Sequence, residues 1–149
     1  MLLVGLPASG KSTWLAGRAG VLSSDAMRAL VRDDETDQTI HGLVFKLMRD
    51  FLRYRLQLGA EVTYIDATNL TRKHRRPFVK MAQYADATLE AVFFDTPLEE
   101  CLRRNAARAR VVPPEAIAMF AARLQPPTPE EGFTVIQTVP HTRTPPHTH

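Results

Sequence analysis

Residues 5–13 read GLPASGKST, and Gly5, Gly10, Lys11 and Ser12 satisfy G-x-x-x-x-G-K-[ST], the Walker A phosphate-binding loop. This motif constrains the fold because it works in one setting. A strand must deliver the chain to the loop and a helix must leave it, so that backbone N–H groups converge on phosphate oxygens and the helix adds its positive dipole end. Leu2 to Val4 is a short apolar run feeding the loop, and a helix is expected from near Lys11 through Trp14, Leu15 and Ala19 until Gly20 stops it. Gly5 and Gly10 let the backbone approach a ligand closely. Ser9, Gly10, Lys11, Ser12 and Thr13 complete the expected cradle. Lys11 reaches the β- and γ-phosphates and Ser12 ligates Mg²⁺. The expected cofactors are therefore ATP, or another NTP, and Mg²⁺.

The rest of the chain alternates strand and helix. Val21–Ser23 reads as a strand, and Asp25 opens a short helix through Leu30 and Val31 before the polar loop RDDETDQ. Apolar residues from Ile40 to Leu52 recur at helical spacing, with Gly59 as the expected cap. Val62 to Asp66 is a third strand, and Thr71 to about Ala85 a helix that Pro77 kinks or starts late. Leu89 to Phe94 is a fourth strand. Thr96, Pro97 and Glu99 read as a capping box opening a helix to about Ala109. Pro114 opens another helix, and Phe133–Val139 is a fifth strand. Such alternation predicts an α/β fold with a five-stranded parallel sheet, ligands gathering at the carboxyl ends of the strands. Residues 1–139 are expected to form one P-loop domain, and residues 140–149 a disordered tail.

Composition narrows the class. At 149 residues, 44% hydrophobic and 23% charged, the chain reads as one soluble globular domain. A formal charge of +3 is compatible with a polyanionic partner without requiring one. The single cysteine, Cys101, rules out an intramolecular disulfide and reads as a small buried hydrophobe. There is no signal-peptide pattern and no apolar run of the roughly 20 residues a membrane span needs, so no membrane partner is expected and the cytoplasm is the expected compartment.

The acceptor side is less constrained. Asp25, after the second strand, is placed either as a general base on an acceptor hydroxyl or as a helix N-cap. Arg28, one turn on, shares its face or lies in solvent. Asp66 ends the third strand as a magnesium-associated carboxylate or a turn residue, and Thr68 and Asn69 read as caps of the next helix. In CLRRNAARAR, Arg104 and Arg108 are four apart, on one helix face, aimed at the transferring phosphoryl or at water. The run RKHRR, residues 72–76, reads as a solvated face or a phosphate track for a nucleic acid.

Together GLPASGKST, SSDAMR, DATNLTRKHRRPF, FFDTPLEECLRRNAAR followed by VP, and LQPPTPEEGF resemble the P-loop polynucleotide 5′-hydroxyl kinases, the kinase module of nucleic-acid end-healing enzymes. They cover nearly the whole chain in order. The combination of S-D-x-x-R, D-x-T-N and R-N-x-x-R carries the resemblance; relatives with small-molecule acceptors share it. The resemblance implies Lys11 and Ser12 at the donor phosphates and Asp25 as general base on a 5′-OH. Arg28 would hold the acceptor's neighbouring phosphate. Residues 1–139 would be a P-loop kinase domain with a helical lid at about 103–125, whose Arg108, with Arg104, would contact the donor phosphates, Arg110 being offset from them. The implied partners are 5′-OH ends of DNA or RNA, an NTP donor and, in a longer protein or complex, phosphatase or ligase domains. Two other readings stand beside this one: a kinase of a small-molecule or tRNA-linked hydroxyl, and a nucleotide-binding switch without transfer. A guanine-reading N-K-x-D is not evident.

Overall fold

The computed structural model describes residues 1–141, so the expected tail lies outside it from residue 142 onward. Five strands, β1 (Leu2–Val4), β2 (Val21–Ser23), β3 (Tyr64–Asp66), β4 (Glu90–Asp95) and β5 (Val135–Pro140), form one parallel sheet in the order β2-β3-β1-β4-β5. Pro140, expected in the tail, closes β5. Six α-helices flank and cap the sheet: α1 (Lys11–Leu15), α2 (Ser24–Arg32), α3 (His41–Gln57), α4 (Arg72–Tyr84), α5 (Leu98–Ala106) and α6 (Pro114–Arg123). The chain is thus a single α/β P-loop domain of kinase-like architecture.

Alternation along the strands builds two core faces. Leu2, Ile65 and Ala91 point to α3 and α4, meeting Val44, Met48, Leu52, Phe78 and Val79. Leu3, Tyr64, Val92 and Phe94 point the other way, against Leu15 and Trp14 of α1. A third cluster, Leu6, Leu70, Cys101 and Ile117, seats α5 and α6 over the carboxyl ends of the strands. Cys101 is wholly buried there, as expected of a small hydrophobe.

Several boundaries differ from the sequence reading. α1 stops at Leu15 rather than near Ala19, because Ala16 turns extended (ψ 128°) and Gly17 adopts φ +79°. The cradle therefore receives first-turn N–H groups rather than a long helix dipole. α5 ends at Ala106, three residues short of the expected Ala109, which leaves Arg108 and Arg110 beyond the helix. The Thr96 capping box does not form: Pro97 is the N-cap, and the Thr96 hydroxyl donates to Ser9 O at 2.8 Å. Pro77 lies inside α4, which starts on time with Thr71 as its cap, so Thr68 and Asn69 do not cap it. α3 ends as expected, Gly59 taking φ +76° and Ala60 N–H reaching Arg55 O at 2.9 Å.

Within RKHRR, Arg75 departs from the solvated reading. It is 0% exposed, with a two-pronged pair to Glu131 (2.8 and 3.0 Å) and further bonds to the Asn69 and Gln125 carbonyls. One guanidinium therefore ties α4, the DATN turn and the PPTPEE stretch together. Arg72, Lys73, His74 and Arg76 remain exposed.

Candidate active site

The strand register sets the site. Leu2 pairs with Ile65, and Ser23 with Asp66, so β1, β2 and β3 end together on one edge. The phosphate loop is sutured to β3 at its start: Gly5 N–H donates to Thr68 O at 3.1 Å, and the buried Asn69 amide donates to Leu3 O at 2.7 Å. A Cβ on Gly5 would sit 2.7 Å from Ser9 Oγ and 3.0 Å from Phe94 Cβ, so the loop packs there too tightly for any side chain. Ala8 (φ +62°) and Gly10 (φ +110°) both take left-handed backbone, which curls the loop.

Three features fit this loop to a phosphate chain. Ser9 Oγ is buried without a hydrogen-bond partner. Lys11 Nζ turns back on the loop's own carbonyls, Gly5 O at 2.6 Å and Leu6 O at 3.3 Å. Burial presses its ammonium down to about 8, opposed by the Asp66 and Asp25 carboxylates and reinforced by Arg108. A polyanion would supply the charge and acceptors that Lys11 now takes from backbone. Ser12 and Thr13 are exposed at the loop's exit. Asp66 faces the same space, its carboxyl raised mainly by burial, with Lys11 opposing and Asp25 adding. Ser12 and Asp66 are the residues that fit Mg²⁺, which takes few protein ligands beside nucleotide phosphates. Among the described residues no group of three or more His, Cys, Asp or Glu side chains could hold a metal by itself.

α2 removes the capping reading of Asp25. Ser23 is the N-cap, its hydroxyl accepting from Ala26 N–H at 3.2 Å. Asp25 is therefore released from capping and turns its carboxylate, half exposed, toward the loop's mouth. Arg28 is 4% exposed; it donates from Nη1 to Asp25 Oδ1 at 3.3 Å, contacts His41 Nδ1 through Nη2 at 3.2 Å, and keeps Nε buried without a partner. This settles Arg28 against a solvated role.

The arginines after β4 separate. Arg104 holds Glu100 at 3.0 Å and lies over the loop, its Nη1 3.6 Å from where a Gly10 Cβ would stand. Arg103 and Arg104 draw the Glu100 carboxyl down to about 2. Arg108 sits outside the helix, exposed, its charge felt at Lys11. It does not share a helix face with Arg104. Arg110 instead reaches back 85 residues, donating from Nη1 to Asp25 Oδ2 at 3.2 Å, and pairs with Glu35 at 3.5 Å.

Four side chains around the site escaped the sequence reading. Thr96 fastens β4's exit to the loop. Asn105 is 1% exposed and exchanges two hydrogen bonds with Val112, Nδ2 to O at 2.6 Å and N to Oδ1 at 2.9 Å, closing the turn that carries Arg108 and Arg110. Its place inside R-N-x-x-R was the available signal. His41, the first residue of α3, braces Arg28 and stacks on Phe45 at 4.6 Å; nothing in the sequence marked it. Glu131 receives Arg75, a pairing 56 residues apart.

Comparison with known proteins agrees with this architecture. A curated relative, human L-seryl-tRNA(Sec) kinase, is 45% identical over 41 residues, 28% of this chain. That match spans 12% of the relative's length. Among solved structures, a candidate kinase from Chloroflexus aurantiacus J-10-fl superposes with TM-score 0.73 at 18% identity, covering 93% of this chain and 82% of that one. A gluconokinase from Sinorhizobium meliloti 1021 gives 0.60 at 18% identity, covering 93% and 79%. A chain of a Pnkp1/Rnl/Hen1 complex gives 0.58 at 24%, covering 75% of this chain and 39% of that one. These likenesses establish the fold. The family model described as an AAA domain matches residues 1–127, and the chain belongs to that family.

Proposed function

We propose that this AAA-domain chain is a kinase that transfers the γ-phosphoryl group of ATP, with Mg²⁺, to the 5′-OH end of DNA or RNA. The observation that carries the reading is Asp25: relieved of capping by Ser23, half exposed at the mouth of the phosphate loop, and backed by a buried arginine. A carboxylate there accepts a hydroxyl proton as the oxygen attacks the γ-phosphorus and the bridging bond to the β-phosphate breaks, releasing ADP. Lys11 follows the charge that gathers on the β–γ oxygens. Arg104 and Arg108 face the same phosphates, and Arg28 faces the phosphate beside the acceptor hydroxyl. Ser12 and Asp66 would hold Mg²⁺, which would supply charge neutralisation there. The likeness to the Pnkp1 complex chain and the open setting of Asp25, which admits an extended acceptor, support a polynucleotide end.

A second reading keeps this site and changes the acceptor to a small-molecule or tRNA-linked hydroxyl. The 41-residue match to a seryl-tRNA kinase and the likeness to a gluconokinase favour it. The deciding experiment follows labelled γ-phosphate from ATP to short 5′-OH DNA and RNA oligonucleotides, wild type beside Asp25→Ala. Label at the 5′ end, reduced by about 10²–10⁴-fold in the variant while ATP still binds, supports the first reading. An unlabelled oligonucleotide with ATP bound transfers the case to the second.

A further inference from the structure

The two oxygens of Asp25 are held by two arginines of different origin. Arg28, buried on α2, takes Oδ1; Arg110, from the turn after α5, takes Oδ2 at 3.2 Å with its own side chain 28% exposed. A general base must offer an oxygen lone pair to the incoming hydroxyl, and each oxygen of Asp25 already accepts from one guanidinium, with about one further lone pair left on each. Arg28 cannot yield easily: it is packed, braced by His41, and has no solvent to move into. Arg110 can. It rests on two partly exposed carboxylates, Asp25 and Glu35, at the mouth of the site.

We propose that Arg110 is a latch on the general base, released by an anion on the acceptor itself. The proposal rests on the phosphoryl-transfer reading above. A phosphate beside the acceptor hydroxyl offers a guanidinium a two-pronged, charge-assisted partner, stronger than one long contact to a half-exposed carboxylate. Arg110 moves onto that phosphate, Oδ2 is freed, and the hydroxyl takes its place. Water and neutral alcohols offer no such partner, so they leave Arg110 in place and must share Oδ2 with it. Arg110 therefore sets acceptor class, an alcohol with a neighbouring phosphate, and suppresses the reaction in which water attacks the γ-phosphorus and ATP is lost as ADP and phosphate. The Asn105–Val112 ring closes the turn that carries Arg110.

The test measures ATP hydrolysis without acceptor, and transfer to a 5′-OH oligonucleotide and to an uncharged nucleoside, for wild type, Arg110→Gln, Arg110→Lys and Arg110→Gln with Asp25→Asn. Arg110→Gln should raise acceptor-free hydrolysis about tenfold, raise KM for the oligonucleotide about tenfold with KM for ATP little changed, and narrow the preference for oligonucleotide over nucleoside. Adding Asp25→Asn should return hydrolysis to the wild-type level. Arg110→Lys, which keeps the charge and loses the fork, should fall between. Hydrolysis by Arg110→Gln no faster than wild type overturns the latch, as does hydrolysis that stays high in the double variant. If wild type labels the oligonucleotide and Arg110→Gln does not hydrolyse faster, the latch falls and the 5′-OH reading stands. If the oligonucleotide is never labelled yet Arg110→Gln hydrolyses faster, that reading falls and the latch stands.

Discussion

The proposed donor side and the proposed acceptor side of this crevice are built from different materials. The donor side is backbone: a loop whose curvature rests on Gly5, Ala8 and Gly10, fastened by Thr68 O, Thr96 and Asn69. The acceptor side is side chains: Asp25, Arg28, Arg110, Glu35 and His41, meeting from four separate segments through charge. Backbone cradles recognise what every donor shares, a chain of phosphates. Side-chain constellations recognise what distinguishes one acceptor from another.

The largest expected effect would break both sides together. Arg75→Met strands the buried Glu131 carboxylate and loosens the frame beneath α4 and the DATN turn, so chemical denaturation should show a loss of about 3–5 kcal/mol. A loss under about 1 kcal/mol would show that the two sides do not share this frame. Gly5→Ala should break the donor side alone. Its Cβ meets Phe94 Cβ at 3.0 Å, and titration should record ATP affinity down about a hundredfold, ~2.7 kcal/mol, with folding kept. Unchanged affinity would mean the loop yields more readily than its packing implies. Asn105→Ala should strike the arginine turn, costing about 1–2 kcal/mol for the Val112 groups left unpaired and weakening the acceptor more than ATP. Equal effects on both KM values would erase the distinction.

The smallest effects are set by pH. His41 is held below the usual histidine value of 6.5 by burial first, then by Arg28 and His74; His74 is lowered by burial, then by Lys73, Arg75 and Arg123. The folded state thus prefers both rings neutral. Their contribution to stability is complete above about 6.5 and is lost as pH falls through the depressed folded values. Melting temperature should decline below that point, and His41→Asn should flatten the decline; an unaltered slope refutes the assignment. On the donor side Lys11 loses its proton near 8, so ATP affinity should weaken as pH rises past that value. Affinity constant up to pH 10 would show that Lys11 does not pair with the phosphates.

The same contrast governs what the sequence discloses. Nine contiguous residues announce the donor side, because a backbone cradle needs its glycines and lysine at fixed spacing. Strand and helix periodicity gave the sheet and its ligand edge. Helix ends were harder: α1 stops short because Gly17 takes a left-handed turn, a choice that tertiary context makes. Asp25 was legible as a candidate, but its freedom from capping depended on whether Ser23 took that duty. Arg110 and Asp25 meet across 85 residues, and Arg75 and Glu131 across 56. No local pattern encodes such meetings, and a charge run such as RKHRR looks solvated until one of its members is found inside.

The strand order carries a consequence for the chain's synthesis. β1 is central, yet its hydrogen-bonded neighbours are β3 and β4, never β2. The segment Leu2–Val4 is made before its partners and finds the first of them only when residues 64–66 arrive. At the usual pace of a ribosome, 5–20 residues per second, that wait lasts about 3–12 s. During it the most apolar strand and the nascent phosphate loop have no sheet to join. β1 and the phosphate loop are thus made well before the strands that complete them, and it is in that interval that a chaperone would find them.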